Sequence, residues 1–177
     1  IVEGTARPEG GRSQSHAWNL VQLDGRWYHL DTTWDDPSPD QADSVSTAYY
    51  LRTDSQMRAD HTWNKPYPAA SVAYHQTLEE LIKNGGAKKA FYLNLQQQLH
   101  YELYDEAKVI RSSAAIVSLA KQAVKTGENS ILFRYRGSKG LLKNDLEKLY
   151  GLGLDNLSYT CSAFDNTGDY KVYVTWE

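Results

Sequence analysis

The chain has very little sulfur, since its 177 residues include a single cysteine, Cys161, and a single methionine. One cysteine excludes an intrachain disulfide framework and leaves the compartment undecided. An excess of either charge is also missing, because 19 basic and 22 acidic side chains leave a net charge of −3. That balance gives no electrostatic footprint for nucleic acid or an anionic membrane surface. No continuous apolar run is long enough for a transmembrane helix, so the sequence predicts no membrane span.

Aromatic and other apolar side chains are abundant instead. The chain has 13 tyrosines and five tryptophans, and 41% of its residues are hydrophobic. A chain of this length and composition can bury a substantial core and can form one or two domains.

A hairpin is the best-defined local prediction. Two runs over residues 16–23 and 26–33 are rich in strand-forming side chains and are joined by Asp24-Gly25, which is typical of a two-residue turn. Because side chains alternate across a strand, this turn places His16 and Asp31 on one face as diagonal neighbours within side-chain reach. A three-residue loop with a bulge would separate the pair.

The pairing of His16 with Asp31 has a chemical and a structural interpretation. Histidine titrates near neutrality and can take a proton from a nucleophile and return it to a leaving group. A carboxylate on one ring nitrogen fixes the tautomer and stabilises the imidazolium. A thiol is the nucleophile best served by such a pair. From residue types alone, a purely structural hydrogen bond is the favoured interpretation, because isolated His–Asp contacts are common in structural networks.

The sequence around the hairpin resembles a known family. Residues 15–36, SHAWNLVQLDGRWYHLDTTWDD, are similar to the His and Asp strands of the transglutaminase-like superfamily, whose members carry a papain-like Cys-His-Asp triad. The similarity continues through residues 49–51 and 57–63 and covers roughly residues 1–70. The resemblance implies that His16 is the base and Asp31 its orienting acid.

The family's third catalytic residue is missing. Members place the cysteine at the start of a helix upstream of the histidine, and no cysteine precedes His16 here. We therefore expect the chain to begin within the core, after the cysteine, and to be inactive by itself. Cys161 is a poor substitute, because the alternating run over residues 157–164 predicts a strand with this thiol on its buried face.

The resemblance implies a bacterial secreted or cell-surface thiol acyltransferase or peptidase. Its substrate would be a protein or peptide, for example one associated with the cell wall, and it would need no cofactor. A rival hypothesis is a catalytically dead transglutaminase-like module for adhesion or cell-wall binding. A third is that residues 78–177 are the functional part.

Further candidate site residues surround the predicted pair. Trp18, Trp34 and His61 are candidates for walls of a substrate groove, although large aromatic side chains in a hairpin more often serve packing. His29 shares the face of His16 and Asp31, and these three residues could form a metal site. Because a further ligand at metal-binding spacing is missing, we predict no metal and expect His29 to be a hydrogen-bonded neighbour.

An acidic segment follows the hairpin, with Asp35, Asp36, Asp40 and Asp43. It does not match a calcium loop, which needs alternating oxygen ligands and a central glycine. We therefore predict a solvated acidic loop, which the prolines at positions 37 and 39 also favour.

The sequence as a whole predicts an α+β protein. A partial papain-like or transglutaminase core over residues 1–70 would carry the hairpin, and a linker over 71–77 would lead to a small accessory sandwich over 78–177. The predicted β-α-β-α-β-β order of the accessory domain follows a first helix capped by Thr77. Its elements are a strand over 88–96, a helix over 102–125 closed by Gly127, a strand over 130–136, a helix over 141–150 and a hairpin of 157–164 with 170–176.

Overall fold

A computed structural model describes residues 1–8, 10–36 and 46–177. The predicted α+β class is confirmed, with a curled four-stranded antiparallel sheet, several helices and a separate three-stranded antiparallel sheet. Contacts divide the chain into two compact units, Ile1–Tyr101 and Glu102–Glu177. None of the helices within the described residues is long and apolar enough to cross a membrane.

The first unit contains a sheet of four strands. They are β1 (Val2–Ala6), β2 (Gln14–Leu23), β3 (Arg26–Leu30) and β4 (His61–Thr62), and their order in the sheet is β3-β2-β1-β4. The long strand β2 is divided between its two partners, because residues 14–18 pair with β1 and residues 19–23 pair with β3.

The predicted hairpin and its register are confirmed up to the end of β3. Leu23 lies opposite Arg26 and Leu20 opposite His29. Asp24 and Gly25 take positive φ angles of 52° and 79°, as a type I′ turn requires.

The second arm is shorter than predicted, because β3 ends at Leu30 rather than at residue 33. The Asp31 carboxylate accepts hydrogen bonds from the backbone N–H groups of Thr33 and Trp34 and so caps helix α1 (Thr32–Asp35). Helix α2 (Asp54–Met57) begins with a capping box of Thr53 and Gln56.

The predicted linker over 71–77 overlaps a helix. Helix α3 spans Tyr74–Asn84, so Thr77 lies within it rather than at its cap. The hydroxyl of Thr77 is buried and bonds the side chains of Arg26 and Tyr28. Because α3 packs in this way on the hairpin, the contacts place the boundary between the units after residue 101.

The predicted strand over 88–96 is wrong. This segment forms helix α4 (Lys89–Gln98), and Tyr92, Leu95 and the C-cap residue Leu99 pack into a cluster with Tyr74. The alternation of apolar residues that suggested a strand comes from Phe91 and Leu93, which are exposed. Ala, Leu, Gln and Lys are good helix formers, and their propensity favours a helix in this segment.

The second unit has the order α-β-α-β-β instead of the predicted β-α-β-α-β-β. Its elements are α5 (Ser113–Thr126), β5 (Ser130–Tyr135), α6 (Lys139–Leu146), β6 (Ser158–Phe164) and β7 (Asp169–Thr175). The sheet order is β5-β7-β6, and the predicted C-terminal hairpin is confirmed. Helix α5 ends at Gly127 as predicted but begins only at Ser113, because Ser112 caps it and short 3₁₀ turns precede it.

The interiors of the two units differ. The second unit has one cluster of twelve buried residues that includes Ile116, Phe133 and Leu142, with Cys161 packed against it from β6. Among its described residues, the first unit has two clusters of four buried residues each, around Trp18 and Tyr28.

Candidate functional site

The predicted His16–Asp31 pair forms. His16 is carried by β2 and Asp31 by the cap of α1, and Nε2 of His16 lies 2.6 Å from Oδ2 of Asp31. The Asp31 side chain is 1% exposed and that of His16 is 12% exposed. Because the other oxygen of Asp31 is held by the N–H groups at the start of α1, the carboxylate is fixed in the orientation that receives His16.

The structure adds His61 to this pair. Strand β1 lies between β2 and β4, with Gly4 opposite His16 and Ala6 opposite His61. Nε2 of His61 lies 3.1 Å from the same Oδ2 of Asp31, and the imidazole is fully buried.

Asp60 completes a chain of four side chains. Nδ1 of His61 lies 2.5 Å from Oδ1 of Asp60, and the hydroxyl of Tyr49 donates to Oδ2 of Asp60 at 2.6 Å. Each ring nitrogen of His61 therefore faces a carboxylate oxygen, Nε2 that of Asp31 and Nδ1 that of Asp60. The result is an Asp60–His61–Asp31–His16 chain.

Aromatic rings enclose the chain. The ring centroid of His16 lies 6.0 Å from that of Trp18 and 5.6 Å from that of Trp34, and Trp34 lies 4.7 Å from His61. Trp18 is buried, whereas Trp34 is partly exposed. All three residues predicted as groove candidates, Trp18, Trp34 and His61, therefore contact His16, and Trp34 is the one that reaches the surface.

A glycine makes this packing possible. A Cβ atom at Gly4 would lie 2.0 Å from the carbonyl oxygen of Thr62 and 3.0 Å from the indole of Trp18. Only glycine lets β1 and β4 approach this closely, and that approach brings His61 to Asp31.

His29 belongs to a separate network, as its expected role as a hydrogen-bonded neighbour implies. Nε1 of Trp18 donates to Nδ1 of His29 at 2.9 Å, and Nε2 of His29 donates to Asp54 at 2.7 Å. Burial lowers the pKa of His29. Both ring nitrogens are engaged, so His29 does not join His16 and Asp31 as a metal ligand.

The prediction of a solvated acidic loop is wrong for Asp35. This residue is buried, and its carboxylate accepts a hydrogen bond from the backbone N–H of Tyr49 at 2.8 Å. Burial raises the pKa of Asp35 to about 6. Asp36 is exposed, and Asp40, Asp43 and the two prolines lie outside the described residues.

Cys161 has the environment of a structural cysteine. It packs against the hydrophobic core of the second unit, and burial raises the pKa of its thiol. A thiol activated as a nucleophile needs the opposite shift, which an adjacent cation or a helix N-terminus provides.

One group of side chains in the described part of the chain has donor atoms arranged for a metal ion. The donor atoms of His16, Asp31 and His61 all lie within 4.8 Å of one another. The sequence pointed to His29 as the third member of this group, and the contact with His61 depends on the pairing of β1 with β4, far apart in the chain.

Comparisons with known proteins give no family for this chain. No family model matches it, and no curated protein matches it.

Proposed function

We propose that the Ile1–Tyr101 unit carries the base and the orienting acid of a transglutaminase-like thiol enzyme that acts on amide bonds of proteins or peptides. The observation that carries this proposal is the 2.6 Å contact between Nε2 of His16 and Oδ2 of Asp31. A buried carboxylate held at one ring nitrogen fixes the tautomer and orientation that a general base needs.

The other nitrogen of His16 supports the same role. Within the described residues, Nδ1 of His16 has no hydrogen bond, and the His16 side chain is more exposed than that of Asp31 or His61. A nucleophile can therefore approach Nδ1 while Nε2 stays on Asp31. Thiol enzymes have this arrangement, in which the nucleophile contacts the base and the base is in turn oriented by an acid.

The proposed reaction is acyl transfer through a thioester. A cysteine thiolate attacks the amide carbonyl carbon, the C–N bond breaks, and His16 gives its proton to the leaving amine. Water or a second amine then attacks the thioester carbonyl carbon, His16 takes the proton from that nucleophile, and the C–S bond breaks to release the cysteine. The products are a carboxylic acid or a new amide, and the thiol is regenerated.

The nucleophile would be a cysteine N-terminal to His16 in the natural protein, as the resemblance to the superfamily implies. Cys161 does not fit the role because its burial disfavours the thiolate. The proposed location is extracellular or at the cell surface, with a protein or peptide partner.

Thiol labelling tests the proposal. The natural protein is treated with sub-stoichiometric iodoacetamide near neutral pH, and modified cysteines are mapped by mass spectrometry. We expect rapid modification of a cysteine N-terminal to His16 that is slowed at least 10-fold in His16→Asn. The matched control is His100→Asn, the same change at an exposed histidine of the same unit.

Two outcomes would reject the enzyme. One is slow labelling of Cys161 alone at a rate independent of His16. The other is equal labelling rates in His16→Asn and His100→Asn. Either result would favour the non-catalytic binding module, in which the His16–Asp31 contact is structural.

A further inference from the structure

We propose that His16, Asp31 and His61 also form a three-ligand site for a divalent transition metal, with zinc as the best-fitting ion. The ligand atoms are Nε2 of His16, Oδ2 of Asp31 and Nε2 of His61, which converge within 4.8 Å. Two imidazoles and one carboxylate suit zinc and its first-row neighbours, whereas calcium and magnesium require more oxygen ligands.

The distances are close to those of a coordinated ion. Zinc holds nitrogen and oxygen ligands at about 2.0–2.2 Å, which places neighbouring tetrahedral donors about 3.3 Å apart. The two present contacts are 2.6 Å and 3.1 Å, both to Oδ2 of Asp31. Each needs to lengthen by less than about 1 Å to admit an ion at the centre. His16, the most exposed of the three, has the most room to move.

The groups behind the ligands are those of a metal centre. Metal-bound histidines usually donate their second N–H to a carboxylate, which fixes the ring and raises its basicity. Nδ1 of His61 faces Asp60 in this way at 2.5 Å, and Tyr49 holds Asp60 in turn. The second oxygen of Asp31 is held by the backbone at the start of α1.

The metal-free and metal-bound states use the same side-chain arrangement. Without a metal, Nε2 of each histidine faces Oδ2 of Asp31. A bound metal would take the place of these hydrogen bonds, and Nδ1 of His61 would keep its contact with Asp60. Three protein ligands leave a fourth position open to water on the exposed side of His16.

A consequence rests on the proposed function. A metal on Nε2 of His16 separates that nitrogen from Asp31, so the base loses its orienting acid. The metal-bound protein would therefore be the inactive form of the thiol enzyme, and zinc would act as a reversible inhibitor.

Zinc titration of the 177-residue chain tests the site directly, because it needs no nucleophile. Binding is followed by competition with a chromophoric chelator, and cobalt supplies a visible spectrum of tetrahedral geometry. We expect one ion per chain. His16→Gln and His61→Gln should each weaken zinc binding at least 100-fold, and Asp60→Asn roughly 10–100-fold. His100→Gln and Cys161→Ser should leave the Kd unchanged.

Circular dichroism of each variant shows whether it is folded, and the partly exposed His16 provides a variant even if the buried His61→Gln does not fold. The metal site would be overturned by absence of zinc binding, by a Kd unchanged in His16→Gln, or by equally tight binding of magnesium. Iodoacetamide labelling measures the reactivity of a cysteine and tests the proposed enzyme. Zinc titration measures binding to the three ligands and tests the metal site, so either proposal can fail without the other. Zinc should slow the labelling only if both are correct.

Discussion

The buried interiors of the two units differ in their content of apolar and polar side chains. Within the described residues, Glu102–Glu177 buries twelve apolar side chains in one cluster, and its buried polar side chains are Arg134 and Asp169, which bond each other. The described part of Ile1–Tyr101 has two small apolar clusters and buries six polar side chains. These six are His29, Asp31, Asp35, Thr53, His61 and Thr77.

The difference indicates where chemistry is located. Buried polar and ionisable groups cost free energy unless each has partners, whereas a continuous apolar cluster is favourable without them. The first unit keeps a linked set of carboxylates and imidazoles despite that cost, which favours a functional role for the set. The second unit has the interior expected of a scaffold, in which one Arg–Asp pair is the exception.

The largest expected effect tests the apolar interior of the second unit. Leu142→Ala should lower the free energy of unfolding by about 2–5 kcal/mol, because it removes a side chain that is 1% exposed and leaves a cavity. Leu141→Ala is the matched control on the same helix, since Leu141 is 57% exposed and should change stability by about 0.5 kcal/mol or less. Urea unfolding measures both, and equal effects would contradict the assignment of this core.

The next effect tests the polar interior of the first unit. Asp31→Asn keeps the shape of the side chain but removes the charge that faces His16 and His61, so we expect a loss of about 1–3 kcal/mol. Asp36→Asn, at an exposed aspartate nearby, is the control. Urea unfolding should separate the two variants. An Asp31→Asn protein as stable as the control would mean that the network adds nothing to stability.

A smaller effect is expected at Asp35, where substitution should raise the free energy of unfolding at pH 7 instead of lowering it. Its pKa is raised from 3.8 to about 6, so the folded protein binds the proton more tightly than the unfolded chain does. Stability should fall as the pH rises from about 4 to 6, by about 1–2 kcal/mol after screening is allowed for, and remain lower above that range. Asp35→Asn should remove this slope and be the more stable form at pH 7.

Urea unfolding of wild type and Asp35→Asn from pH 3.5 to 7.5 measures that slope. Asp36→Asn should keep the wild-type slope, because Asp36 is exposed. A parallel pH dependence of wild type and Asp35→Asn would show that Asp35 is not the group responsible.

The smallest effect is expected at the surface of the first unit. Lys65 lowers the pKa of Glu3 by direct pairing, but both side chains are exposed and their attraction is screened by water and salt. Glu3→Gln should leave the urea midpoint within experimental error at low and high salt. A clear shift would show that the first unit depends on surface charge as well as on its buried groups.

The part of the site that the sequence predicted is the local part. The Asp24-Gly25 turn sets the register of a hairpin from neighbouring residues, so the proximity of His16 to Asp31 followed from spacing and alternation. The sequence did not predict that Asp31 caps a helix, because an aspartate in this position is compatible both with the end of a strand and with a helix N-terminus. The change from strand to cap still left the carboxylate in reach of His16.

The position of His61 could not be derived in the same way. It depends on the pairing of Ala6 with His61 and on the missing side chain of Gly4, and neither follows from a local pattern. The error at α4 has a different cause. Five residues of alternating apolar character fit a short strand and a helix equally well, and packing on Tyr74 decided between them.

The division of β2 between two partners has a consequence for the order of folding. The β2–β3 hairpin closes over a two-residue turn, and such hairpins form in about 1–10 μs. The β1–β4 pairing joins Thr5 to Thr62 and must close a long loop, which is slower because loop closure costs entropy before contacts form. We therefore expect His16 and Asp31 to meet early and His61 to arrive late, so that a chain still folding already holds the pair without its buried third member.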